Sequence, residues 1–429
     1  MASLRGCCSL LTLGLLLTSA ACQRSAEEQE ALRKRIDARV HVAANQVWEG
    51  QLAQAQAELA AILKEAPQHP GALMVQTCLR LEQGAEDEAA RTAVRLREMA
   101  PDKPDAIMLM ALVEQRRRTP RPGWTEALSE AWKSAGRPSL RDTSRYPEVA
   151  IDAKSVVSDV WARTESLEPR LVAVLADHKA SEVQQRWLVE HLSELEDLHL
   201  LLSAHEYFRY ADGLSADLRR QARETVRLKL QAHGAGTNES RIPLLLLMAE
   251  ASEETPLTHE DIVALDRIAR LKHYRDAPLS QRYVDAERRL EAAGASSRFD
   301  KAFMVAVSNL VLDPASVLTQ RAAASKDRLT PADQDRLGKA LLTLGARIRA
   351  GNTLVERSVG LRMMEQGAVL VGNEVMRAQL AEGYEPIRQV IQSSRQVQIE
   401  NWPLPTLQRE WAKALVQDEW AFLSALVAP

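Results

Sequence analysis

The chain has 429 residues, of which 46% are hydrophobic, 26% charged and only 4% aromatic. This composition supports two or three globular cores and favours helix, because all-β proteins usually need more aromatic strand residues and more turn residues. A net charge of −3 argues against bulk attraction to nucleic acid, so we expect no nucleic-acid partner.

The first 21 residues have the pattern of an export signal. Arg5 precedes an apolar stretch from Cys7 to Leu17, and Ser19-Ala20-Ala21 supplies the small residues of a cleavage site. The apolar stretch is shorter than a membrane-spanning helix needs. Together with Cys22, the segment Ser-Ala-Ala-Cys resembles the lipobox of bacterial lipoproteins, although that family prefers Leu where this chain has Ser19.

The lipobox resemblance implies that residues 1–21 are removed and that Cys22 becomes an acylated N-terminus. Acyl chains anchor a protein firmly, since each buried CH₂ contributes about 0.8 kcal/mol. Gln23, rather than Asp, after the cysteine implies by family analogy an outer-membrane protein that faces the periplasm of a Gram-negative cell. We expect no cofactor apart from this covalent lipid. The alternative is a plain secretory signal in which Cys22 is incidental.

Residues 38–101 contain a repeat with a period of 34. At this offset Gly50 coincides with Gly84, Ala55 with Ala89 and Pro67 with Pro101, and alanine recurs at Ala38, Ala72 and Ala106. The glycine allows positive φ between two helices, the alanine allows a close helix crossing, and the proline ends the second helix. Small residues and a terminal proline at this period resemble the tetratricopeptide (TPR) repeat.

The TPR resemblance divides the rest of the chain into four parts. Residues 22–35 are the acylated cysteine and a short lead-in helix, and residues 36–138 are an array of two clear repeats and a degenerate third with a lengthened turn. Residues 139–151 form a linker. Residues 152–429 lack the period but carry helix signals, including capping boxes at Ser181–Gln184 and Thr258–Asp261. We therefore predict an all-α protein, in which an N-terminal TPR helix-turn-helix array precedes a larger helical bundle or irregular α-solenoid.

A partner-binding groove follows from the TPR resemblance, since fixed positions on the first helix of each repeat line the concave face. Carried onto this chain, the apolar positions are Val40, Ala44, Val47, Trp48, Met74, Cys78, Leu81, Met108 and Leu112. Charges such as Asp37, Glu82 and Asp105 stand only at the edges, and the Lys and Asn of a carboxylate clamp are missing. An apolar floor with adaptable methionines suits an amphipathic helix or an extended apolar peptide. Whether the groove is open or filled by the chain itself stays an open question.

The C-terminal helix, predicted over Pro405–Val427, has two apolar seams. One seam comprises Leu407, Trp411, Leu415, Phe422 and Leu426, and the nearly opposite one comprises Val416, Trp420, Leu423 and Val427. A surface helix needs only one apolar seam, so the second is either core or a docking face for a partner.

Two basic clusters have no assigned partner. Arg116–Arg118 with Arg121 belongs to the lengthened turn, and the second cluster, on one helix, comprises Arg219, Arg220, Arg223, Arg227 and Lys229. Such clusters contact anionic lipid or an acidic partner in some proteins and are solvated helix faces in others.

No motif in the sequence predicts an enzyme. His191, Glu194, His199, His205 and Glu206 are close in sequence but form no H-E-x-x-H motif, and His191 and His199 are two helical turns apart. There is no phosphate loop, no G-x-S-x-G and no dinucleotide-binding glycine motif. We expect neither catalytic residues nor a metal site.

The sequence thus predicts a membrane-anchored TPR adaptor or scaffold that binds other proteins of a bacterial cell-envelope machine. TPR lipoproteins of Gram-negative envelopes serve gliding-motility, pilus and secretion-assembly machines, and the resemblance implies work of that kind. Two alternatives stay open: a cell-wall enzyme or enzyme activator with its site in residues 152–429, and a lipoprotein that binds a small ligand.

Overall fold

The computed structural model describes residues 7–141, 155–177, 180–211, 213–234, 238–249, 254–274, 278–295, 298–308 and 313–428, with the backbone alone for residues 7–27, 298 and 313. The protein is all-α, which confirms the predicted fold class. An isolated β-bridge joins Glu239 and His273. The chain forms two compact units: unit 1 contains residues 1–152 and 398–406, and unit 2 contains residues 153–397 and 407–429.

Unit 1 is built from helical hairpins that stack in chain order. Each helix packs against the next, and the first helices of successive hairpins also pack against one another. The helices are α1 (Cys7–Trp48), α2 (Leu52–Glu65), α3 (Pro70–Glu82), α4 (Glu86–Met99), α5 (Pro104–Arg116) and α6 (Trp124–Ser134). Because the hairpins stack in order, each packed against the next, the described part of unit 1 has the architecture of a helical repeat.

The repeat residues occupy the conformations that their spacing predicts. Gly50 and Gly84 have φ values of 76° and 68° in the turns between the helices of the first two hairpins. Ala55 and Ala89 are fully buried. The third turn is longer, as expected, and runs from the end of α5 to Trp124. These local features therefore define the hairpins.

The first helix is longer than the lead-in helix predicted over residues 22–35. α1 runs without interruption from Cys7 to Trp48, so residues 22–35 are part of a longer helix. The predicted signal peptide lies partly outside the described residues, since residues 1–6 are not described and the side chains of residues 7–27, Cys22 included, are not described either. Within the described ranges, no helix combines the length and hydropathy needed to cross a bilayer. Most of the predicted linker, residues 142–151, also lies outside the described residues.

Unit 2 contains the remaining helices. They are α7 (Val156–Arg163), α8 (Leu167–Asp177), α9 (Glu182–His191), α10 (Leu198–Tyr210), α11 (Ala216–Gly234), α12 (Arg241–Met248), α13 (His259–Ile268), α14 (Leu279–Ala292), α15 (Arg298–Ser308), α16 (Asp313–Ser325), α17 (Pro331–Arg349), α18 (Leu354–Leu370), α19 (Glu374–Glu382), α20 (Tyr384–Ser394) and α21 (Pro405–Val427), whose first two residues belong to unit 1. Both predicted capping boxes are confirmed at the starts of α9 and α13. Thr353 and Glu356 form a third, buried box that starts α18.

Two long helices of unit 2, α17 and α18, touch backbone to backbone. Gly345 of α17 faces Gly360 of α18, and Gly338 faces Gly367. A Cβ atom at Gly360 would lie 2.4 Å from the backbone nitrogen of Arg349 and 2.6 Å from the carbonyl oxygen of Gly345. Only residues without a side chain permit this approach, so the four glycines set the separation of the two helices.

A buried ion pair holds α8 and α15 together in unit 2. The Lys301 Nζ lies 2.6 Å from Asp177 Oδ1, and the two side chains are 10% and 2% exposed. The other Asp177 oxygen accepts a hydrogen bond from the Val156 backbone N–H at 2.5 Å, so this carboxylate also caps α7. Burial raises the pKa of the neighbouring Asp300 to about 6, against the opposing influence of the Lys301 charge.

Replacing Asp300 by asparagine is expected to stabilise unit 2 at neutral pH and to have no effect near pH 4. Because the native pKa is above the ordinary value of 3.8, the native state binds the proton more tightly than the unfolded chain does. The resulting stability is complete below the ordinary pKa and is lost as the pH rises through about 6. Asparagine avoids this ionisation, so we expect a gain of about 2 kcal/mol at neutral pH. Urea unfolding at both pH values measures it, and an equal effect at both would contradict the interpretation.

Candidate functional site

The predicted groove residues lie inside unit 1, on the first helices of the three hairpins. α1 carries Val40, Ala44, Val47 and Trp48, α3 carries Met74, Cys78 and Leu81, and α5 carries Met108 and Leu112. All nine are buried, and the most exposed of them, Trp48, is 9% exposed. These residues are part of the core of unit 1, and none is open to solvent.

A segment from the far end of the chain belongs to the same unit. Residues 398–406, which we call the strap, are grouped with unit 1 although both flanking segments belong to unit 2. The strap contains a turn, in which the backbone N–H of Trp402 donates to the Ile399 carbonyl at 2.9 Å. The first residues of α21 follow this turn. Ile399, Trp402 and Leu404 are 4%, 0% and 0% exposed. These apolar side chains of the strap are therefore buried, whereas Glu400 and Thr406 are exposed.

Trp402 is anchored on a groove position of the third hairpin. Its indole Nε1–H donates to Asp105 Oδ1 at 2.6 Å, and Asp105 is 5% exposed. Asp105 is in the first turn of α5, directly after Pro104, where the helix dipole favours a negative charge. A charged acceptor makes this a strong hydrogen bond.

Thr406 is anchored on a groove position of the second hairpin. Both oxygens of Glu82 accept from it, one from the backbone N–H at 3.0 Å and the other from the hydroxyl at 2.6 Å. Burial raises the pKa of Glu82, while the bonds from Thr406 and the charge of Arg116 act in the opposite direction. Glu82 thereby satisfies a backbone donor in the first turn of α21.

The strap thus contacts positions that the TPR resemblance assigned to a groove. It binds two of these predicted positions, Asp105 and Glu82. Sequence reasoning placed these carboxylates at the edges of the groove but did not identify Trp402 or Thr406. The strap is a turn followed by the start of a helix, whereas the sequence predicted a continuous helix or an extended peptide as the partner.

The side chains of the predicted docking face of α21, which belongs to unit 2, are buried or half-buried. Val416 and Leu423 are buried, and Trp420 and Val427 are half-buried. The Trp420 backbone N–H donates to the Asn352 carbonyl at 3.0 Å, and the Arg357 guanidinium lies 4.8 Å from the Trp420 ring centre.

The helix α21 is kinked, which alters its predicted seams. Asp418 has a non-helical backbone (φ −160°, ψ 90°), and its side chain accepts from the Ala421 N–H at 2.9 Å. Asp418 therefore acts as a cap at which the helix restarts, because an aspartate oxygen satisfies a free N–H of the first turn. The assumption of one straight helix, on which the two seams were based, was wrong at this point.

The first basic cluster is paired inside unit 1. Arg117 and Arg121 each lie 2.8 Å from a carboxylate of the acidic first turn of α4, Asp87 and Glu86 respectively. Arg116 stacks 4.1 Å from the ring centre of Trp124. These contacts neutralise part of the cluster and fold the long third turn over the start of α4.

The predicted histidine group is spread over α9 and α10. His191 stacks on Trp187 with ring centres 4.0 Å apart, and its Nδ1 is 2.7 Å from the Trp187 carbonyl. Burial, followed by the charge of Arg282, lowers the pKa of His199 to about 4. His205 is buried. In the described part of the chain, no group of three or more His, Cys, Asp or Glu side chains is arranged to hold a metal ion.

Comparison of the chain with protein-family models, with curated proteins and with solved structures found no match. The residues of the array and its strap are therefore the basis on which a function can be inferred.

Proposed function

We propose that the protein is an interaction scaffold of the tetratricopeptide type and that the groove of unit 1 recognises a tryptophan-bearing segment of a partner protein. One observation carries this proposal: the groove holds the strap through the indole N–H of Trp402 on Asp105 and through Thr406 on Glu82. The strap indicates which groups the groove binds: a buried indole and, four residues later, the backbone N–H and hydroxyl of a threonine in the first turn of a helix.

The energetics favour such a guest. An aromatic side chain of roughly 200 Å² contributes about 5 kcal/mol when it is buried, at about 25 cal/mol per Å². Association costs of about 4 kcal/mol or more offset most of this for a free peptide. The tethered strap avoids them, because its effective concentration is on the order of millimolar. A partner therefore displaces the strap only if it makes further contacts outside the groove.

The cellular setting of the proposal rests on the lipobox resemblance. We place the protein at the outer membrane, anchored by lipid at Cys22 and facing the periplasm, as a scaffold in an envelope machine of the motility, pilus or secretion-assembly type. Labelled palmitate tests the anchor in a Gram-negative host. The anchor is supported if Cys22→Ala abolishes incorporation of the label and Cys78→Ala preserves it. If the unchanged protein takes up no label, the N-terminal segment is a plain secretory signal instead.

A peptide added in trans tests the groove. In a variant with Ile399, Trp402 and Leu404 all replaced by serine, the strap loses its buried side chains. We expect a fluorescent peptide of residues 397–408 to bind this variant with a Kd of about 0.1–1 mM, because burial of Ile399 and Leu404 adds about 2 kcal/mol each to that of the indole. The same peptide should bind the unchanged protein far more weakly, because the tethered strap competes for the groove.

The matched control is the same peptide with alanine in place of tryptophan, and circular dichroism establishes that the variant is folded. Equal binding of the two peptides, or no binding to a folded variant, would mean that the strap is only a structural part of unit 1. In that case the proposed recognition mode is wrong.

A further inference from the structure

Unit 2 contains a cleft whose lining is strongly basic. Its volume is about 330 Å³, and its lining comes from α10, α11 and the residue after α12: His205, Ala216, Arg219, Arg220, Arg223, Glu224, Arg227 and Ala249. Among the described lining residues, four arginines and a histidine outnumber one carboxylate, Glu224, which pairs with Arg227 at 2.6 Å. We propose that this cleft binds the phosphate group of a small anionic molecule or of a lipid headgroup, a site that does not depend on the groove of unit 1.

The sequence of α11 places the arginines on one side of the helix. Arg219, Arg223 and Arg227 are spaced four residues apart and therefore share a face. The adjacent row of Ala222, Val226 and Leu230 is completely buried. This row fixes the helix against unit 2, so the guanidinium groups lie at the boundary between the core and the cleft. If these arginines were only a solvated helix face, they would not need to lie beside a buried row that fixes their position.

Arg219 is oriented without being neutralised. Its Nη2 donates to the backbone carbonyls of Ala211 at 2.9 Å and Leu214 at 3.5 Å, which are neutral acceptors. Its Nε has no hydrogen-bond partner among the described residues. A guanidinium that is held by neutral groups keeps its full charge and its planar donor geometry, which match the oxygens of a phosphate.

A buried histidine supplies an independent indication of a ligand. His205 lines the cleft, is only 4% exposed, and its Nδ1 has no hydrogen-bond partner in the described structure. The closest acidic oxygen, on Glu206, is 3.6 Å away, beyond hydrogen-bond distance, and Glu206 is not part of the lining. A buried polar atom without a partner is costly, and an anion in the cleft would accept a hydrogen bond from it.

The size of the cleft indicates the kind of molecule. A volume of about 330 Å³ is at the lower end of the range for small-molecule sites. It exceeds what a single phosphate needs and suits a diphosphate, a phosphomonoester or a phosphate-bearing headgroup. The lining offers charged and hydrogen-bonding groups rather than an apolar wall, so recognition would be directed at the phosphate.

Two matched charge reversals test the site in the full chain. Arg220 lines the cleft, whereas Arg270 lies elsewhere on unit 2. Their side chains are 78% and 77% exposed, and each makes a 2.6 Å ion pair with an aspartate one turn earlier. Because both side chains are exposed, we expect either substitution to change stability by less than about 0.5 kcal/mol. We expect Arg220→Glu to raise the Kd of inorganic pyrophosphate, measured by calorimetry, about tenfold, and Arg270→Glu to leave it within about twofold.

Phosphatidylcholine vesicles with and without phosphatidic acid distinguish the two sources of phosphate. Binding to pyrophosphate indicates a soluble ligand, and binding that requires phosphatidic acid indicates a headgroup. Either result, if weakened by Arg220→Glu alone, supports the site. Equal weakening by both charge reversals, or no saturable binding to pyrophosphate or to the acidic vesicles, would overturn the proposal.

Discussion

Replacing Trp402 by alanine is expected to lower the free energy of unfolding of unit 1 by about 3–5 kcal/mol. The indole is fully buried, and the substitution leaves a cavity where the strap meets the array. It also removes the N–H that donates to Asp105, a carboxylate that is itself only 5% exposed. Loss of volume and loss of a charge-assisted hydrogen bond therefore act in the same direction.

Hydrogen exchange in urea, analysed separately for the helices of unit 1, measures this loss. Trp402→Phe is the matched control, since it keeps most of the ring volume and removes only the donor, and we expect it to cost about 1–3 kcal/mol. A loss below about 1 kcal/mol for Trp402→Ala is outside the range for a buried aromatic residue and would contradict the placement of the strap.

Replacing Gly360 by alanine is expected to have the second largest effect, a loss of about 2–3 kcal/mol from unit 2. The new methyl group would lie 2.4 Å and 2.6 Å from backbone atoms of α17, which cannot move out of the way as a side chain can. The two helices must therefore move apart, and we expect the free-energy cost to lie at the upper end of the range for an overpacked core, about 3 kcal/mol. Alanine's better helix propensity, worth about 1 kcal/mol, offsets only part of this cost.

Gly71→Ala is the matched control for this substitution. Gly71 is also a helical glycine, but a Cβ atom there would meet only side-chain atoms of His69 and Val40, at 3.3 Å. Side chains adjust more easily than backbone, so we expect a change within about 1 kcal/mol. Urea unfolding of both variants provides the comparison. Equal tolerance of alanine at the two positions would contradict the backbone-to-backbone crossing of α17 and α18.

Features that depend on neighbouring residues were predictable from the sequence. The 34-residue period, with Gly50 and Gly84 at the turns, predicted the hairpins because a positive φ and a helix stop are local properties. The outer bounds of α21, Pro405–Val427, also match the predicted ones, although the helix is interrupted at Asp418. Thr353-x-x-Glu356 was an equally local capping signal that sequence reasoning missed.

The strap could not be predicted, because its contacts join distant parts of the chain. Trp402 and Asp105 are 297 residues apart, and no periodicity or spacing links positions at that separation. The available signal was local composition: Trp402 is followed directly by Pro403, and Pro405 comes two residues later, so this stretch cannot continue a helix. An isolated tryptophan in such a stretch needs a site to bury its ring, which here is provided by unit 1.

The glycines of α17 and α18 were also missed, for a different reason. They recur at intervals of seven, at Gly338 and Gly345 and again at Gly360 and Gly367. Glycine contributes little to a hydrophobic pattern, so a search for apolar periodicity does not detect a row of glycines on one face of a helix. The kink of α21 was overlooked similarly, because the apolar pattern continues on both sides of Asp418.

The most direct measurement is a double-mutant cycle between Trp402 and Asp105, with Trp402→Phe, Asp105→Ala and the double variant compared by urea unfolding of unit 1. Because the indole donates to this carboxylate at 2.6 Å, each single substitution should remove the same interaction. The double variant should therefore be less destabilised than the sum of the two, with a coupling energy of about 1–3 kcal/mol. Strict additivity would mean that the strap does not bind the array through this pair, and the proposed recognition of a tryptophan-bearing partner would lose its basis.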